Sequence, residues 1–230
     1  MDAKLWPAYI LHSRPFQEDK LLLSLLLPEQ GRISAVARRR SGKQHRALQP
    51  FQLFSVSLTG RSDLKTVKQL EESSAASQLS GKVLFSGLYL NELICRIWPA
   101  DQPSDNLFAL YQQALAALVQ VQQQATGLES ALRQFELALL DELGVLPDWS
   151  SDCYDRPLQA DQHYSYVSEQ GLVPVQQGWP GAMLLALAAE QWHVVGLLPV
   201  AKQLTRQLLA PLLGNKPLAS RALFTSSDKA

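Results

Sequence analysis

Hydrophobic residues in the first seventy positions come in short runs bounded by Pro, Gly, Ser or charged residues. Runs of this kind predict β-strands, and there are five: WPAYILHSR, KLLLSLLLP, GRISAVAR, FQLFSVSLTG and DLKTVKQL. Five short strands with one long basic connection favour a small closed barrel, because closure removes exposed strand edges. The pattern therefore predicts an N-terminal five-stranded OB-type β-barrel.

The hydrophobic period becomes helical after a small, polar segment, Glu71–Lys82, which we interpret as a linker. Val83–Trp98 is apolar on nearly every side and predicts a buried central helix. Further helices are predicted over Leu107–Gln123, Glu129–Leu143, Ala182–Gln191 and Val200–Leu213. An irregular insertion at about 149–176 contains a predicted hairpin, HYSYVSEQGLVPV. We predict an α+β chain of two domains, an OB-type barrel (1–78) and a helical domain (79–230).

Charge divides the chain at the same place. Residues 1–70 carry twelve basic and five acidic residues, a net charge of +7, and the remainder carries −7. Opposite charge in two segments indicates separate units with separate partners. The barrel is therefore the expected site for a polyanion.

Composition excludes several classes of protein. Cys95 and Cys153 lie far apart and no secretory leader is recognisable. We therefore expect a cytoplasmic protein without a disulfide framework. The longest apolar runs are shorter than the roughly 20 residues that span a bilayer. The sequence lacks the phosphate-binding GxxxxGK[ST] loop, HExxH, GxSxG and GxGxxG, so we expect no enzyme and no cofactor.

A dense basic segment follows the third predicted strand, in AVARRRSGKQHRALQPF. Flexible cations in a barrel loop follow a phosphate backbone, and arginine planes stack on bases. A solvated surface loop is the alternative. The predicted DNA-binding residues are Arg38, Arg39, Arg40, Lys43, His45 and Arg46, with Arg14 and Arg32 extending the track and Phe16 as a stacking aromatic. Phe51 and Phe54 are interpreted as core residues.

Several segments, in their order and spacing, resemble the RecO family of bacterial recombination and repair mediators. They are YILHSRPFQE, GRISAVARRR with LQPF, SGLYLNEL, ALRQFELALLDELG and GNKPLASRALF. The resemblance implies an OB barrel that binds and anneals single-stranded DNA, and a helical C-terminal domain. It also implies the partners RecR and the single-strand binding protein, indirect action on RecA, binding to double-stranded DNA, and a nucleoid-associated protein.

A second site is predicted on the third helix. Arg133 lies beside Leu137 and Leu140, a combination suited to an amphipathic peptide that ends in a carboxylate. An ion pair with Glu129, four residues earlier, is the alternative. The resemblance implies that this helical segment binds the C-terminal tail of single-strand binding protein.

The sequence departs from those RecO members that hold zinc with four cysteines. Only Cys153 lies in the corresponding insertion, so we expect a degenerate, metal-free hairpin packed by Tyr154, Tyr164 and Tyr166. Near the C-terminal end, Lys216 and Arg221 either extend the DNA surface or anchor the last helix, and we favour the structural role. The functional alternative is a protein adaptor whose barrel binds a partner rather than DNA; an unrecognised hydrolase is a third.

Overall fold

The computed structural model describes residues 4–39 and 48–227 of the 230-residue chain. The first five strands are β1 (Trp6–Phe16), β2 (Lys20–Leu27), β3 (Gly31–Arg38), β4 (Leu53–Thr59) and β5 (Leu64–Glu72). They close into a barrel in the order β1-β2-β3-β5-β4, in which β3 and β5 run parallel and the other neighbours antiparallel. The predicted five-stranded barrel is confirmed, and its fold is consistent with an OB-type barrel.

Alternate side chains of the strands fill the barrel. On β3, Ile33, Ala35 and Ala37 are buried, whereas the residues between them are partly exposed. This alternation is what a strand with one buried face requires. Phe54 joins the same core and Phe51 is buried before β4, which confirms their interpretation as core residues.

Strand β1 carries a one-residue bulge. Ile10 pairs with Leu25, and His12 pairs with Ser24. Strand β1 therefore uses two residues where β2 uses one, and Leu11 is the extra residue. A bulge bends its strand and changes which side chains face each side of the sheet. Beyond Leu11, β1 therefore continues in a different phase.

The helices confirm the predicted change of period. They are α1 (Gly81–Ile97), α2 (Leu107–Gln124), α3 (Leu128–Glu142), α4 (Gly181–Ala188), α5 (Leu197–Leu213) and α6 (Ala219–Ser227). The predicted hairpin is present as β6 (His163–Val167) and β7 (Gly171–Val175), and the short strand β8 (Trp179–Pro180) completes a small sheet in the order β7-β6-β8. None of the described helices combines the length and the apolar character needed to cross a membrane.

The chain forms two compact units. Unit 1 is described over residues 4–39, 48–128 and 215–227, and unit 2 covers residues 129–214. Unit 1 therefore contains the barrel, α1, α2 and α6, while unit 2 contains nearly all of α3 together with the small sheet, α4 and α5. The sequence-based boundary after residue 78 stays a prediction.

In unit 2, the turn before the small sheet is organised around one carboxylate rather than around tyrosines. Asp152 is 5% exposed and accepts hydrogen bonds from the N–H groups of Tyr154 and Arg156 and from the guanidinium of Arg156, at 2.8–3.2 Å. Burial alone would raise the pKa of Asp152, but these hydrogen bonds and the Arg156 charge lower it below its ordinary value.

The expected packing by three tyrosines needs correction. Tyr164 is fully buried, but Tyr154 is 65% exposed, and the Arg156 guanidinium lies over its ring at 4.8 Å from the centroid. Tyr166 is only partly buried. The physical reason is that Asp152 satisfies the polar groups of the turn, so its neighbour Tyr154 is free to lie at the surface.

Candidate nucleic-acid interface

The outer surface of β1, β2 and β3 brings together side chains that are far apart in sequence. Phe16 pairs with Lys20, and Lys20 pairs with Arg38; one row further along, Arg14 pairs with Leu22, and Leu22 pairs with Val36. Directly paired residues lie on the same face of a sheet. We call these six residues, Arg14, Phe16, Lys20, Leu22, Val36 and Arg38, the outer β1–β3 face.

The alternation of the strands directs these side chains outward. The core residues Leu23, Leu25 and Ile33 alternate with them along β2 and β3. Arg14 and Arg38 are exposed, and the other four members of the face are half-buried. The face therefore combines three cations with an aromatic and two aliphatic side chains.

The cations on the outer β1–β3 face have weak, solvated partners. Arg38 Nε lies 3.3 Å from Asp19 Oδ2, and the two side chains are 87% and 56% exposed. Lys20 Nζ donates to Gln17 Oε1 at 2.8 Å, also at the surface. Exposed ion pairs of this kind contribute at most about 1 kcal/mol. A phosphate group can therefore replace these partners at little cost.

Phe16 is the aromatic residue best placed for stacking. It is half-buried and lies in the same row as Lys20 and Arg38. Tyr9, by contrast, is buried and packs against Phe108 and Tyr111, with ring centroids 5.4 and 5.0 Å apart. The structure thus brings Phe16 together with two cations: Arg38, which the sequence predicts as a binding residue, and Lys20, which it does not.

Arg32 lies at the other end of β3 and makes a structural contact. Its Nε donates to the carbonyl oxygen of Trp98 at 2.9 Å, just beyond the C-terminal end of α1. The carbonyl oxygen of Arg32 accepts the N–H of Asp101 at 2.8 Å. A cation at a helix C-terminus is favourable because the carbonyl groups there carry partial negative charge. Arg32 therefore contacts the C-terminal end of α1, at the opposite end of β3 from Arg38, and its DNA-binding role stays a prediction.

The remainder of the predicted basic segment is only partly described. Arg39 follows β3, is exposed, and donates its backbone N–H to the carbonyl oxygen of Asp19 at 2.7 Å. Arg40, Lys43, His45 and Arg46 lie outside the described residues. Their DNA-binding role stays a prediction.

Sequence reasoning missed Lys20. It stands alone at the start of an apolar strand, without the clustering that drew attention to Arg38 and Arg39. Its place between Phe16 and Arg38 depends on strand register, which the sequence of β2 alone does not reveal. The turn Gln17–Asp19 was the available signal, since a short hairpin connection pairs the residues on either side of it.

The second predicted site lies on α3 in unit 2. Arg133 Nη2 lies 2.6 Å from Glu136 Oε1, and the two side chains are only 10% and 1% exposed. Arg133 Nε has no hydrogen-bond partner among the described residues. Glu129 Oε1 instead accepts from Lys202 Nζ at 3.1 Å, so the expected alternative partner of Arg133 is replaced by Glu136.

The exposed docking surface expected on α3 also needs correction. Leu137 is 9% exposed and Leu140 is fully buried, so neither they nor Arg133 offers an open surface. The reason is that the apolar face of α3 that carries Leu140 also carries the core residues Leu139 and Phe135. The partner-binding role of Arg133, Leu137 and Leu140 stays a prediction.

The described residues contain no cluster of three or more His, Cys, Asp or Glu side chains that could hold a metal ion. Cys95 and Cys153 are both free thiols. Burial raises the pKa of Cys95, whose Sγ lies 3.6 Å from Ser24 Oγ. A buried, protonated thiol is a poor metal ligand.

Comparison with protein families covers both parts of the chain. The family model described as Recombination protein O N terminal matches residues 1–75, and the model described as Recombination protein O C terminal matches residues 79–222. The chain belongs to the RecO family.

Similar RecO proteins match over nearly their full length. The DNA repair protein RecO of Stutzerimonas stutzeri (strain A1501) is 45% identical over 222 residues, covering 95% of this chain and 92% of the relative. That of Pseudomonas entomophila (strain L48) is 46% identical over 224 residues, covering 95% and 96%. The RecO of Alteromonas mediterranea is 39% identical over 233 residues, covering 96% and 97%. The chain is thus a RecO-family DNA repair protein, and its outer β1–β3 face lies in the part matched by the N-terminal family model.

Proposed function

We propose that this RecO-family protein is a recombination mediator that binds and anneals single-stranded DNA through the outer β1–β3 face. The observation that carries the proposal is the convergence of Arg14, Lys20 and Arg38 with Phe16 on one open face of the barrel. Positive groups neutralise phosphates, and an aromatic face stacks on a base without regard to sequence.

The cationic surface also explains how annealing proceeds without a catalytic residue. Two complementary strands repel each other through their phosphates, and cations lower that repulsion while base pairing supplies the driving free energy. We propose no enzymatic activity and no cofactor. The cations of the outer β1–β3 face also support binding to double-stranded DNA and association with the nucleoid in the cytoplasm.

The mediator role extends to protein partners. We propose that, together with RecR, the protein helps to load RecA onto DNA coated by single-strand binding protein. The acidic C-terminal tail of single-strand binding protein would dock on unit 2 near Arg133. Arg133 Nε has no hydrogen-bond partner in the part of the chain that the structure describes, and this supports the assignment, because a carboxylate is its natural partner. Since Arg133 is buried, docking requires local opening of α3.

A protein adaptor is the second candidate function. Leu22 and Val36 are half-buried members of the outer β1–β3 face, and aliphatic side chains beside cations also suit a protein surface. An adaptor predicts weak association with DNA that depends little on salt.

The deciding experiment is fluorescence anisotropy of a labelled single-stranded oligonucleotide at several salt concentrations. Each phosphate contact on a single strand contributes about −0.7 to the slope of log affinity against log salt, so three cations give a slope of about −2 or steeper. The variant with Arg14, Lys20 and Arg38 all replaced by Ala should bind more weakly, with a slope shallower by about 2. Equal binding by wild type and variant would favour the adaptor.

Matched controls distinguish an effect of the outer β1–β3 face from an effect of positive charge elsewhere on the protein. Arg206→Ala removes an exposed arginine from α5 in the acidic unit 2 and should leave both affinity and slope unchanged. Phe16→Ala should weaken binding by about 1–3 kcal/mol without changing the slope, because stacking releases no counterions. Annealing of two complementary labelled strands should be slowed by the triple variant and not by Arg206→Ala.

Docking of the tail is tested separately with a labelled acidic peptide ending in a free carboxylate. Arg133→Lys keeps the charge but loses the guanidinium fork, and should weaken peptide binding while leaving DNA binding intact. A peptide affinity that is the same in both proteins would place the tail elsewhere.

A further inference from the structure

Helices α1 and α2 reach the barrel through a buried polar chain that ends at the bulge of β1. Asn91 Nδ2 donates to the carbonyl oxygen of Leu11 at 3.1 Å. Tyr111 Oη donates to Asn91 Oδ1 at 2.6 Å. Asn91 is 4% exposed, Leu11 is 5% exposed and Tyr111 is fully buried. All of these residues belong to unit 1.

The bulge decides which side chains of β1 reach the outer surface. Before the bulge, the even-numbered residues Ala8 and Ile10 point into the barrel core. After it, the even-numbered residue Arg14 pairs with Leu22, which alternates with the core residues Leu23 and Leu25 and so lies outside. A one-residue change of register moves every later side chain to the opposite face.

Without the extra residue, Leu11 would pair with Ser24. Arg14 would then pair with Leu21, which packs against the barrel core, and Phe16 would follow it onto the inner side. The outer face would then lose both its β1 cation and its aromatic residue. The bulge is therefore a condition for the outer β1–β3 face to exist as described.

Asn91 supplies what the bulge requires. The extra residue of a bulge is left out of the regular ladder, and a buried carbonyl group needs a hydrogen-bond donor. The amide nitrogen of Asn91 is that donor for Leu11. The amide oxygen accepts from Tyr111, which fixes the orientation of the amide group, because the nitrogen is then the atom turned toward Leu11.

Tyr111 is held in the protonated state that this arrangement needs. Burial raises the pKa of Tyr111 well above its ordinary value, so the hydroxyl keeps its proton and remains a donor. Its ring packs edge-on against Tyr9, with centroids 5.0 Å apart, and Tyr9 lies two residues before Leu11 on β1. The polar chain and the aromatic contact thus act on the same short stretch of strand.

We infer that Asn91 and Tyr111 are positioning residues for nucleic-acid binding, acting at a distance by holding the β1 bulge that turns Arg14 and Phe16 outward. The inference rests on the proposed function of the outer β1–β3 face. Neither residue touches DNA in this scheme, because both are buried. Their effect on binding passes through Arg14 and Phe16.

The test is a double-mutant cycle on binding of a labelled single-stranded oligonucleotide. Asn91→Leu and Arg14→Ala are measured alone and together. If Asn91 acts through Arg14, Arg14→Ala weakens binding in the wild-type background but changes it by less than about twofold in the Asn91→Leu background. Arg39→Ala, which alters a cation that is not on β1, is the matched control and should weaken binding equally in both backgrounds. Equal effects of Arg14→Ala in both backgrounds would overturn the inference.

A second measurement is independent of DNA. In the free protein, proton–proton contacts observed by nuclear magnetic resonance should join His12 to Ser24 in the wild type. In Asn91→Leu they should be weakened or replaced by contacts from Leu11 to Ser24. Tyr111→Phe removes only the hydroxyl and provides a milder variant with a smaller change in the same direction. Retention of the His12–Ser24 contact at full strength in both variants contradicts the role of Asn91 and Tyr111. Failure of the wild type to bind DNA contradicts the proposed function, and the resonance data still decide the role of the bulge.

Discussion

Glu92 Oε2 accepts a 2.6 Å hydrogen bond from the hydroxyl of Ser220 and so fastens α6 to α1. The two carboxylate oxygens of Glu92 also accept the backbone N–H groups of Ala219 and Ser220, each at 2.8 Å. The first N–H groups of a helix have no partner within it, and a carboxylate there is favoured by the helix dipole as well. A residue of α1 thus caps a helix of a distant segment.

Acid should release this cap. Burial alone would raise the pKa of Glu92, but the hydrogen bonds from Ser220 and Ala219, with the charge of Arg96, lower it below its ordinary value of 4.5. A lowered pKa means that the stabilisation is present above the ordinary value and is lost as the pH falls through the lowered one. We expect hydrogen exchange of α6 amides to accelerate over that range in the wild type.

Two variants define the origin of the acid effect. Glu92→Ala should expose the α6 amides to exchange even at neutral pH, because loss of a helix cap costs about 0.5–2 kcal/mol. Glu18→Gln, which alters an exposed carboxylate in the β1–β2 turn, should behave like the wild type. An acid transition of α6 that persists unchanged in Glu92→Ala would assign the titration to another group.

Gly31→Ala should destabilise unit 1 more than Gly81→Ala. Both glycines have positive φ, +66° and +50°, which L-residues adopt at a cost. A Cβ on Gly31 would collide with the backbone oxygen of Gln102, whereas nothing lies within 4 Å of the corresponding position on Gly81. Thermal unfolding should show an extra loss of about 1–3 kcal/mol for Gly31→Ala relative to the control. Similar losses would mean that the backbone near Gln102 relaxes freely.

Asp152 should be more important to the turn of unit 2 than Tyr154. Replacing Asp152 by Ala leaves the N–H groups of Tyr154 and Arg156 and the Arg156 guanidinium without their acceptor. The turn then loses the acceptor that joins these groups, and Asp152→Ala should lower stability clearly. Tyr154→Ala removes a side chain that is 65% exposed and should change stability little. Chemical denaturation of the two variants checks this order, and a larger loss for Tyr154→Ala would restore packing by tyrosine as the main support.

The pair Arg133 and Glu136 should show strong coupling. Removal of one partner of a buried ion pair leaves an uncompensated charge and costs about 3–5 kcal/mol, whereas replacement of both by apolar residues is often nearly neutral. We therefore expect Arg133→Leu and Glu136→Leu each to destabilise α3 strongly, and the double variant to recover much of the loss. Unfolding measurements on all four proteins give the coupling energy, and strictly additive losses would show that the two charges act independently.

Elements with a clear hydrophobic period were predictable from the sequence. The five strands and the hairpin were identified because each is bounded by turn residues, and α1, α2 and α3 begin and end within two residues of the predicted bounds. The bulge at Leu11 was not predictable, because the run AYIL is apolar at every position and conceals the change of phase. What decides the phase is Asn91, eighty residues away.

The candidate site shows the same division between local and distant information. Arg32 and Arg38 are both basic residues of β3 that alternate with core residues, so the sequence placed them in one track. Their surroundings differ, because the side chain of Arg32 meets the carbonyl of Trp98, 66 residues further on, whereas that of Arg38 meets the solvated Asp19. Arg133 was likewise expected at a surface, since a cation on an amphipathic helix usually lies there. Its partner Glu136 makes burial possible.

The cap on α6 has a consequence for the order of events during synthesis. Glu92 and Ser220 are separated by 128 positions, and all of unit 2 is translated between them. The barrel and α1 therefore leave the ribosome well before α6 exists. Through that interval the surface of α1 that later meets α6 stays uncovered, with Phe85 still lacking the ring of Phe224 against it. The contacts of unit 1 are therefore complete only once α6, the last described helix of the chain, has been made.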